Sequence, residues 1–148
     1  MRFIDEWHKK AFFAALSEYH ANRNYNEEVA LLYLLTATHD CRTHMDDLLE
    51  DVDEVVIKKD ATLHPWVTSS DGCIIRLAFN LFSSSCPTVP AIEPEEGRYD
   101  TVYRYFPTQI VWCLGDELFA ACLEAIRIWG RFRGVPAEDD CGYFTGVW

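Results

Sequence analysis

Hydrophobic positions recur at intervals of three and four residues along most of the chain, which is the spacing of one helix face. The pattern predicts a first helix over about residues 4–19. It predicts a last long helix that starts near Asp116 and ends at Gly130. The apolar stripe of that last helix consists of Phe119, Cys122, Leu123, Ile126 and Trp129.

Two segments are apolar on nearly all sides, which is typical of helices in the centre of a protein. The first covers residues 29–37, and the second covers about residues 71–82. The second follows Thr68-Ser69-Ser70-Asp71, in which a hydroxyl stands three residues before a carboxylate. This spacing indicates a capping box at the start of the helix.

The segment between them predicts a third amphipathic helix over Met45–Val56, with apolar residues on one side. The other side forms what we call the acidic ridge, which consists of Asp46, Asp47, Glu50, Asp51, Asp53 and Glu54. Residues 54–58 and 99–105 are alternative strand candidates. A small hairpin is therefore the minor alternative to an all-helical chain.

The elements together predict one all-α domain over residues 1–148, with about five or six helices packed around the second and fourth. Pro87, Pro90, Pro94 and Gly97 predict a long loop between its halves. We find no internal repeat and no second region of distinct composition.

The chain carries 24 acidic and 13 basic residues, and its formal net charge is −11. Such a charge repels nucleic acid and anionic lipid, so we expect no direct contact with either. It favours a protein partner with a basic surface, although solubility alone is a sufficient reason for it. The start of the chain lacks a signal sequence, no stretch is long enough to span a membrane, and the cysteines are scattered, so we expect a cytoplasmic protein with reduced thiols.

The polar segment with His39, Cys41 and His44 is the one local candidate for a metal site. Zinc requires about four ligands, usually from two closely spaced pairs, and this segment supplies one loose pair. We interpret it as a polar helix junction and leave metal binding open. Glycine-rich phosphate loops are absent, and no local motif supports a cysteine nucleophile. The sequence therefore predicts no cofactor and favours a non-enzymatic protein.

Arg76 and Asn80 interrupt an otherwise apolar helix, four residues apart and on one face. A buried brace between helix and loop is one interpretation, since a buried arginine needs a partner. The alternative is a small-molecule pocket lined also by Trp66, Phe79 and Tyr105. A further possibility concerns the aromatic tail, residues 143–148, which would serve as a self-association surface if exposed.

Several segments together resemble an uncharacterised family of small accessory proteins from low-GC Gram-positive bacteria and their phages and mobile elements. They are Tyr33-Leu34-Leu35, Trp66-Val67-Thr68-Ser69-Ser70, residues 76–82 and Glu124-Ala125-Ile126-Arg127. The resemblance implies no catalytic residue. By analogy with other acidic proteins of such elements, it implies an inhibitor of a host defence protein that handles nucleic acid, such as an anti-CRISPR protein.

We therefore expect an acidic protein-interaction module whose acidic ridge occupies a basic surface on its partner. The alternative is a small-molecule binder or enzyme with its pocket near Arg76 and Asn80.

Overall fold

The computed structural model describes residues 1–50, 55–58, 60–83, 107–131 and 134–145. Most of this part of the chain is helical, which confirms the all-α prediction. The α-helices are α1 (Glu6–Glu18), α2 (Asn26–Leu35), α3 (His39–Thr43), α4 (Met45–Leu48), α5 (Ser69–Ser83), α6 (Pro107–Val111) and α7 (Asp116–Arg131). Two 3₁₀ turns, Ala61–Leu63 and Glu138–Asp140, and two short strands, β1 (Arg2–Phe3) and β2 (Gly142–Tyr143), complete the described elements.

Helix α2 forms the centre of the fold. Every residue from Val29 to Leu35 is buried, and α2 packs against α1, α5 and α7. Because each side of the helix meets another helix, it has no need of a polar face. Helix α5 is also largely buried. The prediction that these two apolar segments are central is confirmed.

The start of α5 has the predicted capping box. The Thr68 hydroxyl accepts the Asp71 N–H at 3.2 Å, and the Asp71 carboxylate accepts the Thr68 N–H at 3.2 Å and the Thr68 hydroxyl at 2.5 Å. The Asp71 side chain is buried and also accepts the Cys41 thiol at 3.7 Å. These contacts satisfy backbone N–H groups of the first turn and join it to α3.

The two ends of the described chain are joined by a parallel pairing of β1 and β2. Arg2 lies opposite Gly142 and Phe3 lies opposite Tyr143. The Phe144 N–H then donates to the Phe3 carbonyl at 3.0 Å. Neither strand was predicted, because two-residue strands far apart in sequence have no local pattern.

The predicted third helix is wrong beyond its first turn. Helix α4 ends at Leu48, because Leu49 is extended and pairs in antiparallel fashion with Ile57. The Glu50 N–H donates to the Val56 carbonyl at 2.8 Å, and the Lys58 N–H donates to the Leu48 carbonyl at 2.9 Å. The pairing is the small hairpin that the strand alternative over residues 54–58 anticipated.

Electrostatics gives the physical reason for this correction. In a continuous helix the acidic ridge would place carboxylates three and four residues apart, without a basic residue among them. Each like-charged pair of this kind destabilises a helix by roughly 0.2–0.5 kcal/mol. Turning the chain at Leu49 still buries Leu48 and Leu49 and avoids that stacking. The Pro-rich loop and the strand candidate at residues 99–105 lie outside the described residues.

Candidate functional site

The outer face of α7 carries large apolar side chains that remain accessible to solvent. The exposed fractions are 39% for Phe119, 45% for Leu123, 45% for Ile126 and 39% for Trp129. We call these four residues the α7 outer face. Contiguous apolar side chains on a surface usually mark a contact site, whereas scattered ones do not. The α7 outer face is therefore the first candidate functional site.

The opposite side of α7 explains why these side chains face outward. The residues that pack inward are mostly small, namely Ala120, Ala121, Cys122 and Ala125, together with Ile128. Small side chains allow the helix to approach α2 and α5 closely, and the larger side chains would not fit there. An apolar stripe normally faces the core. Of the predicted stripe, only Cys122 does so, and Gly130 is not the C-cap because α7 continues to Arg131.

Acidic side chains border the α7 outer face at both ends. Asp116 and Glu117 are exposed in the first turn of α7, where carboxylates suit the helix dipole. At the other end the Asn26 side chain donates to the Trp129 carbonyl at 3.0 Å. This bond holds the first turn of α2, which carries Glu27 and Glu28, beside the last turns of α7.

A groove of about 480 Å³ adjoins the α7 outer face at Leu123. Its described lining consists of Met1, Arg2, Ala120, Leu123, Glu124, Arg127 and Phe144. The Phe144 side chain is half-buried and packs against the core, so the described part of the aromatic tail forms one wall of this groove. The Tyr143 hydroxyl donates to the Glu6 carboxylate. This hydrogen bond raises the pKa of Tyr143 to about 12.

An ion pair lies at the floor of the groove. Arg127 donates from Nε to Glu124 Oε2 at 2.7 Å and from Nη2 to Oε1 at 2.6 Å. The Arg2 N–H donates to Glu124 Oε1 at 3.0 Å. Burial opposes ionisation of Glu124, but these donors outweigh it, and the pKa of the carboxyl lies below its ordinary value. The ion pair thereby joins β1 to α7.

The structure describes three residues of the acidic ridge. Asp46 and Glu50 are exposed, and Asp47 is half-buried. Asp46 and Asp47 belong to α4, whereas Glu50 follows the turn at Leu49, so these carboxylates do not share one helix face. Asp51, Asp53 and Glu54 lie outside the described residues.

Asp47 is held by an aromatic cluster. The Trp66 indole N–H donates to Asp47 Oδ2 at 2.9 Å, and His64 Nδ1 lies 4.0 Å from the same oxygen. The Trp66 ring stacks on His44 with ring centroids 4.5 Å apart. Asp47 is therefore engaged inside the protein, and Asp46 and Glu50 are the described ridge residues that face solvent.

A polar pocket of about 400 Å³ lies between α5 and α6. The described lining of this α5–α6 pocket consists of Thr62, Val67, Thr68, Ser69, Gly72, Arg76, Gln109 and Trp112. The Arg76 side chain extends back along α5 toward its N-terminus, since a Cβ added at Gly72 would lie 3.1 Å from Arg76 Nη1. Trp112 is 67% exposed at the edge.

The other residues predicted for this pocket lie elsewhere. Phe79 is buried in the core, and Asn80 is half-buried further along α5. Trp66 lies against Asp47, as described above, and Tyr105 lies outside the described residues. Sequence reasoning missed Gln109 and Trp112, because α6 approaches α5 only in the folded chain.

The segment with His39, Cys41 and His44 forms α3 and its junction with α4. Cys41 is buried, where burial raises the pKa of its thiol to about 12. His44 Nδ1 lies 2.9 Å from the Asp40 carbonyl. Across the ranges that the structure describes, no three His, Cys, Asp or Glu side chains are grouped to hold a metal ion. Among the same residues, no helix has the length and apolar character needed to cross a membrane.

These observations define a small, mostly helical protein with an outward-facing apolar helix and a separate polar pocket. The model of a family of unknown function, DUF6075, matches residues 1–138. The chain therefore belongs to the DUF6075 family, which confirms the resemblance to an uncharacterised family. No curated protein and no solved structure matches the chain.

Proposed function

We propose that this protein is an acidic protein-interaction module that binds a basic surface on a partner protein. The observation that carries the proposal is the α7 outer face, which presents large apolar side chains on a chain of net charge −11. Interfaces take most of their affinity from a few apolar and aromatic anchors, and charge complementarity sets orientation and association rate. Both ingredients are present.

The occupant that fits is a protein segment with an apolar centre and lysine or arginine at its edges. The acids at both ends of the α7 outer face, Asp116 with Glu117 and Glu27 with Glu28, favour positive charge on either side of the contact. Asp46 and Glu50 add exposed negative charge that attracts the same partner over longer distances. A second copy of this acidic chain would be repelled by that field.

The biological setting of the proposal follows from the resemblance. In that setting the protein acts in the cytoplasm of low-GC Gram-positive bacteria as a product of a phage or other mobile element. The partner is then a host defence protein whose basic surface normally contacts nucleic acid. Blocking that surface would prevent nucleic acid from binding without any reaction by this chain.

A bait experiment tests the proposal. The tagged wild-type chain, L123S/I126S and D46K/E50K are incubated with host lysate at low and high salt, and bound proteins are quantified by mass spectrometry. We expect one basic protein that binds the wild type at low salt and is depleted roughly tenfold or more by either double substitution. E18K/E138K is the matched control, because it makes the same charge change at exposed positions elsewhere.

Two outcomes of that experiment would contradict the proposal. In one, no protein distinguishes the wild type from L123S/I126S. In the other, E18K/E138K loses the bound protein as fully as D46K/E50K does, so that net charge rather than position determines binding.

The α5–α6 pocket supports a second candidate function, the binding of a small anionic molecule. Arg76 supplies a guanidinium, and Thr68, Ser69 and Gln109 supply polar groups beside the exposed Trp112 ring. Pockets of this volume accept small organic ligands. Native mass spectrometry of freshly purified wild type and R76Q tests it. A retained small molecule that R76Q lacks supports the function, and an identical ligand-free mass for both variants contradicts it.

A further inference from the structure

Two cysteines from different elements meet beside the α5–α6 pocket. The Cys73 and Cys113 sulfurs lie 3.2 Å apart, although the residues are 40 positions apart in sequence. Cys73 belongs to α5, and Cys113 lies in the turn between α6 and α7. The Cys73 thiol also lies 3.6 Å from the Gln109 carbonyl of α6. The fold thus brings two thiols together where three helices converge.

The two thiols differ in access. Cys73 is buried, whereas Cys113 is half-buried and adjacent to the exposed Trp112. A reagent from solution therefore meets Cys113 first. Cys41 and Cys122 are less suited to react, because burial raises the pKa of each thiol to about 12 and keeps it protonated. The Cys141 sulfur instead lies 3.5 Å from the Ala137 carbonyl, in a different part of the chain.

We propose that Cys73 and Cys113 form a reversible dithiol–disulfide site that reacts with low-molecular-weight disulfides such as oxidised glutathione. The Cys113 thiolate attacks one sulfur of the small disulfide, forms a mixed disulfide and displaces one small thiolate. The Cys73 thiolate then attacks the Cys113 sulfur, so the protein disulfide forms and the second small thiolate leaves. Two protein thiols are oxidised, one small disulfide is reduced, and the two protons released by the cysteines protonate the leaving thiolates.

The geometry favours closure over a lasting mixed disulfide. The sulfurs need to approach from 3.2 Å to the bonded distance of about 2.05 Å. Rotation of the Cys113 side chain in its turn can supply this approach, because a turn adjusts more easily than a packed helix. The resulting bond joins α5 to the turn that precedes α7, so it restrains the start of the helix that carries the α7 outer face.

The test uses the full folded chain and oxidised glutathione as the probe. After incubation and quenching with an alkylating reagent, peptide mapping by mass spectrometry locates the disulfide. We expect a single Cys73–Cys113 bond that dithiothreitol reverses. We expect the melting temperature of the oxidised form to rise by roughly 5–10 °C, because the bond closes a long loop.

Three variants make the test decisive. In C73A the reaction should stop at a glutathione adduct on Cys113. In C113S both the adduct and the bond should be absent. C86S should retain the Cys73–Cys113 bond, and it is informative because Cys86 lies outside the described residues.

The inference is overturned by a bond that links any other pair, Cys86 included. It is also overturned if both thiols stay reduced in the folded chain under conditions that oxidise the unfolded chain. Neither result would bear on the proposed partner binding, which the bait experiment measures separately.

Discussion

Glu124 and Arg127 lie one turn apart on α7 and form a two-point ion pair, although Glu124 is only 8% exposed. The same carboxylate accepts the Arg2 N–H, so one buried charge connects α7 with the N-terminal strand. Leu123 precedes Glu124 on the same helix and points outward. The ion pair therefore fixes the position of the helix whose opposite side is the proposed contact surface.

Replacing Glu124 with Gln should reduce the free energy of unfolding by about 1–3 kcal/mol, because charge-assisted hydrogen bonds are lost and Arg127 lacks its carboxylate. The folded-state pKa of Glu124 lies below the ordinary value of 4.5. Its stabilisation is therefore present above about pH 4.5 and is lost as the pH falls through the folded pKa. Urea unfolding between pH 3 and pH 7 measures both effects. R131Q, an exposed change on the same helix, should cost about 0.5 kcal/mol or less; equal losses for the two variants would contradict the account.

Ile126 and Ile128 provide a matched pair on α7, since the same residue type is 45% exposed at one position and 1% exposed at the other. Ile128→Ala should lower the free energy of unfolding by about 2–5 kcal/mol, because it leaves a cavity in the core. Ile126→Ala should cost less than about 1 kcal/mol. Thermal and urea unfolding of the two variants give the comparison. The reverse order of stability would mean that the predicted stripe, and not the alanine side, packs inward.

The sequence predicts the buried helices well because their signal is local. Residues 29–35 are apolar throughout, and the Thr68–Asp71 spacing indicates a helix start without knowledge of its neighbours. The orientation of α7 is different, since hydrophobic periodicity ranks side chains by polarity and disregards their volume. In α7 the alanines pack inward because close approach to α2 requires small side chains.

The candidate site was less predictable than the fold. Arg76 was singled out as an unusual charge in an apolar helix, and it does line a pocket. Gln109, Trp112 and Cys113 approach α5 from a distant part of the sequence, so no spacing rule connects them with Arg76. The exposed ridge residues Asp46 and Glu50 were identified, but their arrangement was not, because like-charge repulsion over a long helix was not weighed.

His8 should make stability depend on pH between about 4 and 6.5. It is fully buried, its Nδ1 accepts the Ile4 N–H at 3.3 Å, and its Nε2 donates to the Tyr33 carbonyl at 2.8 Å. Burial lowers the pKa of His8 from 6.5 to about 4. Below pH 6.5 the unfolded chain binds a proton that the folded chain does not, so stability falls with falling pH, by up to about 3 kcal/mol near pH 4.

Urea unfolding at several pH values checks this expectation, with H8Q as the comparison. H8Q should be less stable at neutral pH, because the buried hydrogen bonds are altered, but it should show a shallower fall between pH 6.5 and pH 4. A wild-type slope retained in H8Q would show that other groups cause the pH dependence.

Asp46 and Asp47 are neighbours with different roles. Asp47→Asn should destabilise the fold by about 0.5–1.5 kcal/mol, because the Trp66 indole loses a charged acceptor. Asp46→Asn should leave stability within about 0.5 kcal/mol, since its side chain is exposed. Chemical unfolding followed by circular dichroism separates the two variants. Indistinguishable unfolding midpoints would contradict the role given to Asp47.

The most direct test of the central claim is the dissociation constant between the purified protein and its captured partner, measured by calorimetry across a salt series. We predict that the affinity of the wild type falls about tenfold or more between roughly 50 and 300 mM salt, because exposed charges are screened. L123S/I126S should bind more weakly at every salt concentration and keep a similar salt slope. An affinity that is independent of salt, or unchanged by L123S/I126S, would contradict the account.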